Sequence, residues 1–126
     1  MKTKEEINAI NIQYIALFFA LISSIISIII TYNQKLDTEG KETILSAKTL
    51  YYLTLFNRIL IVILSIIFLY VNYKLFKISK EEKEDLKPYY LQIFASILTI
   101  ISSAIALYVV NLSNTENVVD VENPII

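Results

Sequence analysis

The chain has 126 residues, of which 56% are hydrophobic and only 18% charged, with a net charge of −1 and a single glycine. That charge argues against a nucleic-acid partner, which would want a basic face. The absence of Cys, His and Trp excludes disulfides, Cys/His zinc sites and thiolate or imidazole haem ligation. It also removes the side chains most often used as nucleophile and general base near neutral pH, so no enzymatic activity, metal or cofactor is expected.

The distribution of charge is more telling than its sum. No charged residue falls within residues 7–34, 59–73 or 88–115. Apolar runs of 18 or more residues are the length signal of a membrane-spanning helix. Two runs pass that test outright, and the third passes if Arg58 is tolerated. Residues 1–126 are therefore read as a single membrane domain. The expected class is all-α: an integral membrane protein whose three transmembrane helices pack as a small bundle, with spans at about 9–32, 51–73 and 89–111.

The first span follows Lys2 and Lys4, but its apolar run is too long for a signal-peptide core. No small-x-small cleavage pattern occurs in Thr31-Tyr32-Asn33-Gln34, so an uncleaved anchor is expected. Its small and polar residues, Ala9, Gln13, Ala16, Ala20, Ser23, Ser27 and Thr31, alternate at steps of three and four and share one face. The only glycine, in Thr38-Glu39-Gly40-Lys41, marks the turn that follows.

The second helix is predicted from near Thr43, through Asn72, toward Ile78. Tyr51, Arg58, Ser65 and Asn72 recur along it every seven residues. Arg58, next to Asn57, falls about 4–5 Å from the span's midpoint when Tyr52 and Tyr70 mark its ends. A cation there costs roughly 2.5–3.5 kcal/mol on insertion scales. It can be offset by snorkelling outward, by reaching Asp37, Glu39 or Glu42, or by hydrogen bonds to Asn57, Ser23, Ser24, Ser27 or Thr99. No acid occurs inside any span, so an ion pair buried among the spans of one chain is excluded.

The inner loop, 74–88, contains Ser79-Lys80-Glu81-Glu82, which has the form of a capping box and predicts a new short helix. Pro88 suits the first turn of the third span. On that span Ala95, Thr99, Ser102, Ser103 and Ala106 form the small-residue face. The polar, acidic tail, 114–126, is expected to be disordered.

Three tyrosine pairs frame the spans: Tyr14 with Tyr32, Tyr52 with Tyr70, and Tyr90 with Tyr108. Each separation, 18 residues, is about 27 Å of helix, close to a hydrocarbon thickness of roughly 30 Å. Lys2, Lys4, Lys74, Lys77, Lys80, Lys83 and Lys87 outnumber Lys35, Lys41 and Lys48 on the other side. The positive-inside bias then places the N-terminus inside and the C-terminus outside. Residue usage rich in Ile, Lys, Asn and Tyr matches an AT-rich bacterial genome, so the expected location is a bacterial cytoplasmic membrane.

In a membrane, helices associate by close packing and hydrogen bonds between small and polar residues. The residues expected to carry interactions inside the membrane are Arg58, Asn57, Ser65, Asn72, Ser23, Ser27, Thr99 and Ser103. Besides the lipid bilayer, the expected partner is a second copy or another membrane protein. An oligomeric anion pore or transporter using Arg58 is the alternative.

Overall fold

The computed structural model describes residues 2–112, and the tail expected to be disordered lies outside them. The described chain consists of three α-helices: α1 (Lys2–Thr38), α2 (Ala47–Glu81) and α3 (Lys87–Leu112). All three are long and apolar enough to span a membrane, with mean hydropathy of 2.3–2.4 in their best 18-residue windows. At 37 and 35 residues, α1 and α2 run about 50–55 Å. Each therefore outreaches a hydrocarbon layer of roughly 30 Å.

Local chemistry sets the helix ends at both connections. Gly40, at φ 72°, closes α1. Its N–H donates to Asp37 O and the Lys41 N–H to Leu36 O, the paired bonds of a Schellman cap. The chain then crosses to α2 under the control of Asn33, whose buried Oδ1 accepts from both Ile44 N and Leu45 N at 3.0 Å. Ser46 caps α2 by accepting from Thr49 N, so the helix begins at Ala47 instead of near Thr43.

The far end of α2 corrects a second expectation. Ser79 does not open a new helix; it lies buried inside α2. Lys83 adopts φ 58°, with Lys83 N donating to Lys80 O and Glu84 N to Ser79 O. This is another Schellman cap, built on lysine where glycine is usual. The S-x-x-E pattern is thus the last turn of a helix, because α2's packing continues through Ile78 and Ser79. Asp85 Oδ1 then accepts from Lys87 N, and Pro88 occupies the first turn of α3.

Packing follows a seven-residue period. Ala9, Ala16, Ser23 and Ile30 are buried on α1, and Ser96, Ser103 and Val110 on α3. α2 carries two such stripes. Leu50, Asn57, Leu64, Val71 and Ile78 form the first, where Ile30 packs on Leu50 and Asn57 bonds to α1. Arg58, Ser65, Asn72 and Ser79 form the second, where Asn72 bonds to Ser96 of α3. Such a repeat winds helices into a left-handed supercoil.

These stripes are adjacent in sequence, so they lie about 100° apart around α2. With helix axes 8–10 Å apart at each contact, that angle leaves α1 and α3 about 14 Å from one another. Accordingly, α2 packs against both neighbours, while among the described residues α1 and α3 do not pack together.

The six paired tyrosines are all exposed on the outer faces, with Phe18, Phe56 and Phe94 between them. They do not form two flat girdles. Asn72 faces Ser96, and the Phe76 and Tyr90 rings meet at 5.1 Å. Tyr90 is therefore level with the end of α2, about two turns beyond Tyr70. The heptad seam, and not the tyrosines, sets the stagger of α3.

Candidate functional site: the cleft between the outer helices

The gap between α1 and α3 is a cleft of about 560 Å³ with α2 as its floor. Ser23, Ser24 and Ser27 line it from α1, Arg58, Ile61, Ser65 and Phe68 from α2, and Thr99, Ser102, Ser103 and Ala106 from α3. A second cavity of about 450 Å³ continues along the α2–α3 seam to Asn72 and Gln92, sharing Ser65, Phe68 and Thr99 with the first. The two together make one hydroxyl-dotted groove.

Of the eight residues singled out from sequence, Arg58, Ser65, Ser23, Ser27, Thr99 and Ser103 meet in the cleft. Asn57 is fully buried beside it, at 0% exposure, accepting from Ser23 Oγ at 2.7 Å and donating through Nδ2 to Ser27 Oγ at 2.9 Å. It thereby clamps two successive turns of α1. Asn72 belongs to the second cavity and donates through Nδ2 to Ser96 Oγ at 2.6 Å.

Arg58 is only 7% exposed, so the protein itself encloses it. None of Asp37, Glu39 and Glu42 lines the cleft, and Glu39 pairs instead with Lys41 at 3.7 Å. The hydroxyls around Arg58 have largely committed their protons. Ser24 donates to Ala20 O, Ser65 to Ile61 O, Thr99 to Ala95 O and Ser103 to Ile100 O, all within their own helices. What they turn to the cleft is oxygen lone pairs, which suit a guanidinium with five N–H donors. The site is thus one fixed cation in an acceptor-rich wall.

Two residues with clear structural roles, Asn33 and Ser96, and one buried polar residue, Thr54, escaped the sequence analysis. Asn33 reads as an ordinary polar residue at a helix end. Ser96 was signalled by its place seven residues before Ser103. Thr54 is fully buried and its hydroxyl has no hydrogen-bond partner among the described residues. Among those residues no group of three or more His, Cys, Asp or Glu side chains is placed to hold a metal ion.

These helices define a class, a small membrane-embedded three-helix bundle. Comparison with protein-family models, curated proteins and solved structures returned no match.

Proposed function

We propose that this is a small non-enzymatic multi-pass membrane protein that works by assembly, either with itself or as an accessory subunit of a larger membrane complex. The observation that carries this reading is the cleft: two outer helices held apart, walled by small residues, around an enclosed arginine. Small and hydroxyl-bearing faces are what membrane helices use to approach one another closely. An ionisable residue inside a membrane marks a functional position by default. The lysine asymmetry supports an N-terminus inside and a C-terminus outside, with a bacterial cytoplasmic membrane as the setting. Arg58→Leu tests the reading. Membrane insertion should be unchanged or improved, while crosslinking between partners in mild detergent should weaken. Unchanged crosslinking would remove Arg58 from the assembly surface.

The continuity of the two cavities favours a second reading, a path for anions past Arg58. Back-bonded hydroxyls weigh against it, because they offer an anion few donors. Liposomes containing the protein should then show no anion flux above empty ones, and measurable flux would establish the path.

A further inference from the structure

Near its C-terminal end α2 carries Tyr70, Tyr73, Lys74 and Lys77. Spacings of three and four put all four on one side of the helix. Val71 and Ile78 lie on the stripe toward α1, and Asn72 and Ser79 on the stripe toward α3, so this side looks away from both neighbours. Ile63 and Ile66, both exposed, continue the same face into the bilayer. Each lysine bends back over the tyrosine one turn before it. Lys74 Nζ lies 5.8 Å from the Tyr70 ring centre, and Lys77 Nζ 5.8 Å from that of Tyr73. That is the reach of a cation–π contact. Helical side chains lean toward their own N-terminus, which at this end of α2 means back toward the membrane. These cations therefore do not snorkel away into water.

Depth decides what they meet. Tyr90 of α3, whose ring meets Phe76 at 5.1 Å, stands about two turns beyond Tyr70. Tyrosine favours the boundary between lipid and water, so the two rings bracket a band of about 10 Å. A headgroup layer of roughly 5–8 Å fits within it. Lys74 and the bent-back ammonium of Lys77 fall in that band. Among the described residues neither is paired with a carboxylate. Glu81, Glu82, Glu84 and Asp85 all follow Lys77 and lie farther from the bilayer, while Glu5 and Glu6 on α1 are matched in number by Lys2 and Lys4. We propose that Lys74 and Lys77 form a docking site for the phosphate of an anionic glycerophospholipid, whose acyl chains lie along Ile63 and Ile66. The Tyr70 and Tyr73 rings hold the two ammoniums at the depth of that phosphate. The site stands apart from the cleft and needs no partner protein.

The test places the full chain in nanodiscs of equal phosphatidylglycerol and phosphatidylcholine and counts the lipid it retains by native mass spectrometry. Phosphatidylglycerol should be retained over phosphatidylcholine on the order of tenfold. Lys74→Gln with Lys77→Gln should abolish that preference. Lys74→Arg with Lys77→Arg should keep it, which shows that this end of α2 still folds. Lys35→Gln with Lys48→Gln removes the same charge from the opposite end and should leave it intact. Excess glycerol phosphate in the aqueous phase should not displace the lipid. Equal retention of the two lipids, or of neither, overturns the proposal. So does a preference that survives the Lys74 and Lys77 glutamines or falls as far with those at Lys35 and Lys48. Displacement by glycerol phosphate overturns it as well, because the site would then read a dissolved anion.

Discussion

Asn57 and Asn72 stand about four turns apart on α2 and about 60° apart around it, yet they bond to different helices. Asn57 holds Ser23 and Ser27 of α1, and Asn72 holds Ser96 of α3. One amide on each stripe fixes the register of each flank. Hydrophobic side chains would not, because lipid solvates them as well as protein does.

Replacing these amides should therefore cost unequal amounts. Asn57→Leu loses two interhelical bonds and should lower stability by about 1–2 kcal/mol, and Asn72→Leu, with one, by about 0.6–1 kcal/mol. Steric-trapping or SDS titrations of each variant measure the difference. Equal costs would show that the Ser23 and Ser27 bonds are not both made.

Asn33→Ala should loosen the first connection. It leaves the Ile44 and Leu45 N–H groups without their acceptor, at about 1–3 kcal/mol if they stay dry. The expected readout is faster amide exchange at those two residues and quicker proteolysis within 41–46, with α2 and α3 unaffected.

The two left-handed caps should respond in opposite directions. Gly40→Ala meets no atom within 4 Å of the new Cβ, so its cost of about 1 kcal/mol comes from the backbone alone. Lys83→Gly relieves a non-glycine residue at φ 58° and should gain about as much. Paired thermal melts of the two variants decide this.

The chain lacks cysteine, so introduced pairs report geometry cleanly. Ile30→Cys with Leu50→Cys should form a disulfide readily, since those residues pack together. Ser27→Cys with Ser103→Cys, on opposite walls of the cleft, should not. Efficient crosslinking of the second pair would mean that the cleft closes.

Much of this was legible in the sequence where polarity broke an apolar background. The three helices, the glycine turn, and the row Tyr51, Arg58, Ser65 and Asn72 all stand out that way. The companion row on α2 does not. Its Leu50, Leu64, Val71 and Ile78 are the same residue types that face lipid, so hydropathy cannot separate seam from back. Ser79 misled for a different reason, since S-x-x-E describes spacing and tertiary packing decides whether a helix starts or stops there. The tyrosine pairs suggested a membrane-sized span within each helix but neither the helix lengths nor their relative height, which came from Asn72 and Ser96. The cleft itself was illegible, because it arises from the angle between two rows of which only one was visible.

Because, among the described residues, each outer helix packs on α2 and not on the other, damage to this protein should come in halves. A lesion at the Asn57 seam leaves the Asn72 seam without a changed neighbour, so paired lesions should sum without mutual reinforcement. Unfolding should then proceed in two detachments from a surviving central helix, where a closed triangular bundle would come apart at once.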